Sequence, residues 1–101
     1  MSDSEILGWV REDGRRIKQI PYPAEQLQWL AVKQDPVNIK YIADPTESVQ
    51  TLAVCKDPWT IRYIRKPTDF VQQQALARDP GVLMFIPSHI RGIFAQLMAV
   101  K

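Results

Sequence analysis

The chain has 101 residues, 46% of them hydrophobic and 24% charged, with a formal net charge of +2. That is the size and make-up of one folded domain, and the charge is too weak to require a nucleic-acid or membrane partner. A lone cysteine, Cys55, excludes an internal disulfide and suits a reducing, cytoplasmic setting; the longest apolar run, residues 81–87, is too short to span a bilayer, and Asp3 and Glu5 interrupt the place of a secretory signal.

Residues 1–88 divide into four tandem units of 22 residues: 1–22, 23–44, 45–66 and 67–88. Pro23, Pro45 and Pro67 stand one period apart, as do Asp35–Pro36, Asp57–Pro58 and Asp79–Pro80. The second and third units are identical at 11 of 22 positions. A fixed short period implies a stack of one supersecondary element, an α-solenoid forming a single domain over 1–101.

In chain order, unit 1–22 keeps Val10, Asp13, Ile17 and Ile20 in their slots. It carries Trp9 in place of the recurrent alanine and Gly14 in place of proline. It reads as a degenerate N-terminal cap, irregular in part. Each later unit reads as two short helices, predicted at 24–34 and 36–43, 46–56 and 58–65, and 68–78 and 80–86. Aspartate followed by proline starts the second helix, since the carboxylate accepts from free N–H groups and proline suits the first helical position. Asp44, with Glu47 at the third helical position, is expected to cap the helix at 46–56 reciprocally. The second helices have barely two turns, so part of each is expected to be 3₁₀.

Apolar residues follow helical spacing. Leu27, Leu30, Ala31 and Val32 recur as Val49, Leu52, Ala53 and Val54, and in part as Val71, Ala75 and Leu76, with Gln74 breaking the pattern. Ile39/Ile42, Ile61/Ile64 and Leu83/Ile86 are expected to face inward. After Ser88, a candidate cap, Ile90, Ile93, Phe94, Leu97 and Met98 form an apolar face, so 89–101 is expected to be a C-terminal capping helix. That face, through Ile90, Phe94 and Leu97, is also a candidate for self-association, which leaves monomer and homodimer both open.

The Ala-Val-Lys-x-Asp-Pro and Ile-x-Tyr-Ile strings (31–36, 39–42 and 61–64) resemble a family of short tandem helical repeats in bacterial and bacteriophage proteins. They are also similar to leucine-rich-variant and HEAT-like solenoids. The resemblance covers 23–88 well and 1–22 weakly. It implies an all-α, right-handed solenoid and carries over no catalytic residue. It also implies a binding role, toward proteins in many helical solenoids and toward DNA in some HEAT-like ones, and an adaptor or stoichiometric inhibitor of a host protein suits it.

No nucleophile–base pair, phosphate loop or metal-ligand spacing stands out, so neither enzymatic activity nor a cofactor or metal is expected. The row Asp13, Asp35, Asp57 and Asp79 reads as helix caps, His89 as a surface residue, and Cys55 as an ordinary thiol. Gln28, Gln50 and Gln72 are expected to bond the neighbouring unit's backbone, and Tyr41, Tyr63 and Phe85 to pack as core. Positions where the units differ are free to serve a partner. On the outward side of the second helices these include Arg15, Lys18, Lys40, Trp59, Arg62 and Lys66, with Met84 in the same row; Trp29 lies on the other side. Trp and Arg are enriched at interface hot spots. Trp59, Arg62, Lys40, Lys18, Lys66 and Trp29 are therefore the candidate contacts for a protein partner. The alternative is nucleic acid along Lys18, Lys40 and Arg62.

Overall fold

A computed structural model describes residues 2–86. Within them the chain is all-helical, and each unit consists of one α-helix followed by one 3₁₀ helix. The α-helices are α1 (Asp3–Glu12), α2 (Glu25–Gln34), α3 (Glu47–Lys56) and α4 (Asp69–Arg78). The 3₁₀ helices are η1 (Gly14–Gln19), η2 (Pro36–Tyr41), η3 (Pro58–Tyr63) and η4 (Pro80–Phe85).

The predicted boundaries require three corrections. The second helix of each unit is 3₁₀ throughout and six residues long. Unit 1–22 is not irregular: it builds both α1 and η1, and Ser2 and Glu5 form a reciprocal cap on α1. The recurrent prolines 23, 45 and 67 stand one residue before the helix cap, and each helix starts one residue later than predicted. Ala24, Thr46 and Thr68 occupy the cap position, and the two threonine hydroxyls accept from Val49 N–H and Val71 N–H at 3.3 Å. Thr46 thereby displaces Asp44 as the cap, and Glu47 becomes the first helical residue instead of the third. At α3 and α4 the threonine hydroxyl after the proline reaches the free N–H groups, while Ala24 at α2 makes no side-chain cap bond.

The recurrent aspartates behave as read, before Gly14 as before the three prolines. Asp13, Asp35, Asp57 and Asp79 each accept from the backbone N–H two residues on, at 3.0, 3.0, 3.1 and 2.8 Å. Each aspartate ends an α-helix and caps the next 3₁₀ helix, so one residue terminates one element and begins another.

Successive α-helices pack side by side, successive 3₁₀ helices do the same, and each α-helix also touches the 3₁₀ helices of its own and the preceding unit. The core lies between these two layers. Val10, Ile17, Ala31, Val32, Ile39, Val49, Ala53, Val54, Val71, Ala75, Leu76 and Val82 are all fully buried. Burying a Val, Leu or Ile side chain contributes about 1.5–3 kcal/mol, so neither layer is stable without the other. The alanines at one slot leave room for close approach of neighbouring helices. Leu83 departs from expectation: it is 41% exposed where the sister isoleucines are buried, while Val82 beside it stays interior like Asn38 and Thr60 at the same slot. The capping-helix and self-association readings of 89–101, with Ile90, Phe94 and Leu97, lie outside the described residues.

Polar groups stitch the units together. Gln28 and Gln50 each donate to the carbonyl of the proline five residues back (Pro23, Pro45) at 2.9 Å. Their amide oxygens accept from the cap N–H of the following unit, Thr46 at 3.1 Å and Thr68 at 3.2 Å. Gln34 performs the same service toward unit 1–22. Its oxygen accepts from Gly14 N–H at 2.7 Å, and its nitrogen donates to the carbonyls of Val10 and Arg11 at 3.2 and 2.6 Å.

Candidate functional site

The outward side of the 3₁₀ layer joins two sets of residues that the sequence reading kept apart. A six-residue 3₁₀ helix repeats every three residues, so Ile39 and Ile61 turn inward while the following residue, Lys40 or Arg62, stays exposed. The next residue, Tyr41 or Tyr63, is half-buried. It packs against the core from the shoulder of the helix, as expected, although Phe85 at the same slot is 37% exposed, and the tyrosine ring is also within reach of long side chains.

Those side chains are the basic row. Lys18 Nζ lies 5.7 Å and Lys40 Nζ 5.2 Å from the centre of the Tyr41 ring. Lys40 Nζ is also 5.8 Å from the Tyr63 ring, and the Arg62 guanidinium is 4.8 Å from that same ring. Arg62 Nη2 further donates to the Tyr63 hydroxyl at 2.8 Å. Cations and rings thus alternate across three units in the order Lys18, Tyr41, Lys40, Tyr63, Arg62. Each exposed cation–ring contact contributes about 0.5–1 kcal/mol, enough to bias flexible amines toward one arrangement.

Charge on this surface is unbalanced. Among the described residues the ion pairs are Arg15–Asp13 and Arg16–Glu12, both at 3.0 Å. Lys18, Lys40 and Arg62 have no carboxylate within ion-pair distance among those residues. The Arg15 side chain and backbone N–H hold the Asp13 carboxyl below its ordinary value, and Asp13 in turn raises the Arg15 guanidinium. That pair neutralises itself at one end of the row. Arg65 and Lys66, both exposed, follow the far end of η3, and Arg62, Arg65 and Phe85 line one shallow hollow there.

Trp59 has a structural task. Its indole N–H donates to Asp79 Oδ2 at 2.7 Å, and its ring meets Phe85 edge-on with centres 5.9 Å apart. It is half-buried between η3 and η4, close to the row but tied to the next unit. Trp29 is on the other layer, 38% exposed, in an open hollow between α2 and α3 with Leu52 and Cys55. The structure therefore brings together Lys18, Lys40 and Arg62, sets Trp59 and Lys66 nearby, and separates Trp29. Tyr41 and Tyr63 pack against the core, and it is their contact with the cations that the sequence reading missed. The available signal was their place one residue after a cation and 23 residues after another.

The described helices include none long and apolar enough to cross a membrane. In comparisons with protein-family models, curated proteins and solved structures, the chain matches none.

Proposed function

We propose that the protein is a non-catalytic protein-binding module: a right-handed α-solenoid of four 22-residue repeats with a C-terminal capping helix, which docks its 3₁₀ layer on an acidic face of another protein. The observation that supports this is the ladder of Lys18, Lys40 and Arg62 over Tyr41 and Tyr63. Exposed cations without carboxylate partners among the described residues, held by rings of their own chain, form a surface whose ordering cost is partly met before binding. A module of this kind suits a cytoplasmic adaptor or a stoichiometric inhibitor, in keeping with the bacterial and phage repeats it resembles.

Affinity capture from the native host's lysate tests the reading. Wild-type protein is expected to retain a partner, and the double variant Lys40→Glu, Arg62→Glu to lose it while circular dichroism stays unchanged. Both side chains are exposed, so folding should survive. Undiminished capture by the double variant would remove the 3₁₀ layer from the function.

A further inference from the structure

Resting on that reading, we infer that the occupant of the ladder is an extended acidic polypeptide segment carrying a carboxylate at every third residue, seated on Lys18, Lys40 and Arg62 in turn. Two amines that lie 5.7 and 5.2 Å from the centre of one ring are at most about 11 Å apart, and the Lys40–Arg62 pair across Tyr63 obeys the same bound. The three cations come from one slot in successive units, so they form a row with a regular step. A polyproline II segment turns once every three residues and rises about 9.3 Å in doing so. Packed helices of successive units stand about 8–10 Å apart, so carboxylates at i, i+3 and i+6 of such a segment project from one side at close to the step of the row. A β-strand fits less well, because it returns to one face at about 6.6 or 13 Å.

The rings decide against a nucleic-acid strand as occupant. Base stacking needs an open aromatic face. Tyr41 is flanked by Lys18 and Lys40, and Tyr63 by Lys40 and Arg62, all from the same chain. A base could stack only by displacing a cation that the phosphates would need. Carboxylates make no such demand: they approach the amines from solvent and leave each amine on its ring.

Fluorescence anisotropy of the full chain with labelled peptides tests this inference. The probes are (Glu-Pro-Pro)₄, its glutamine counterpart (Gln-Pro-Pro)₄, and a thymidine oligonucleotide of equal charge. The glutamate peptide is expected to bind, and Lys40→Met and Arg62→Met to weaken it about tenfold each. The glutamine peptide and the oligonucleotide are expected to show no binding at the same concentrations. Absence of binding by the glutamate peptide, affinity untouched by Lys40→Met, or tighter binding of the oligonucleotide would each overturn the inference. If the glutamate peptide fails while partner capture is still lost in the Lys40→Glu, Arg62→Glu double variant, the acidic-segment inference falls and the protein-binding reading stands. If capture survives in that variant, the reading itself falls.

Discussion

Asp79 holds Trp59 across a unit boundary. One carboxylate oxygen accepts the indole N–H at 2.7 Å, while the other accepts Gly81 N–H at 2.8 Å and so caps η4. Asp57, one unit earlier, caps η3 through Trp59 N–H at 3.1 Å, and its side chain makes no second bond among the described residues. Replacing Asp57 by alanine should therefore remove a cap, at about 1 kcal/mol. The same change at Asp79 removes the cap together with a hydrogen bond to a charged acceptor, for about 2–3 kcal/mol in all. Urea unfolding of the two variants checks the difference. Equal losses would mean that the indole bond contributes nothing, and Trp59 would again be free to serve a partner.

Three glycines in different surroundings should respond differently to alanine. A Cβ at Gly8, within α1, would meet nothing within 4 Å, so Gly8→Ala should stabilise by about 1 kcal/mol through helix propensity. At Gly81 the new carbon would stand 3.1 Å from the Trp59 ring and 3.0 Å from Asp79 Oδ1. Neither neighbour can retreat without loosening the indole bond, and a loss of about 1 kcal/mol is expected. At Gly14 it would stand 2.6 Å from Asn38 Nδ2, 2.8 Å from Gln34 Oε1 and 3.2 Å from the Ala31 backbone. Asn38 is held by the Ala31 carbonyl at 2.9 Å and Gln34 by three bonds to the first unit, so Gly14→Ala should cost about 3 kcal/mol. Thermal melts of the three variants should rank in that order, from above wild type to well below it.

The period made the layers, the aspartate caps and the glutamine bridges legible, because each depends on residues that recur in one slot. What escaped depends on residues that differ between units. Thr46 and Thr68 follow prolines that looked like helix starts, and only the geometry shows the hydroxyl taking the cap. Trp59 and Asp79 are 20 residues apart, and the aspartate already had a recurrent explanation as a cap. Arg16 and Asn38 share a slot but not an identity, yet both side chains donate to a carbonyl at the corresponding place of their own α-helix, Trp9 O and Ala31 O, each at 2.9 Å. Chemistry can persist where identity does not. The cation–tyrosine ladder was hidden similarly, since its lysines and arginine counted as variable and its tyrosines as core.

Asp13 should titrate apart from an ordinary aspartate. The Arg15 side chain, then its backbone N–H, lowers the carboxyl from the usual 3.8. A folded-state pKa below the unfolded one adds stability that is present above the unfolded value and lost as pH falls through the folded one. Above about pH 5 the pair should therefore be insensitive to pH, and its contribution should fade only in strong acid. Carboxylate NMR should place the Asp13 midpoint below 3.8 and return it upward in Arg15→Met. A midpoint unmoved by that substitution would show that Arg15 does not cause the shift.

The glutamine row provides its own control. Gln50 uses both ends of its amide, donating to Pro45 O at 2.9 Å and accepting from Thr68 N–H at 3.2 Å. Gln72 donates to Pro67 O at 3.0 Å, but its equally buried oxygen has no hydrogen-bond partner among the described residues. Leucine at position 50 deprives two buried backbone groups of their partners, and a group so stranded costs about 1–3 kcal/mol. Leucine at position 72 strands one and also removes an oxygen that is itself buried without a bond. Gln50→Leu should therefore destabilise by about 2–4 kcal/mol and Gln72→Leu by about 1 kcal/mol or less, read from urea midpoints at constant slope. Losses of equal size would show that the Gln72 oxygen accepts a bond from outside residues 2–86.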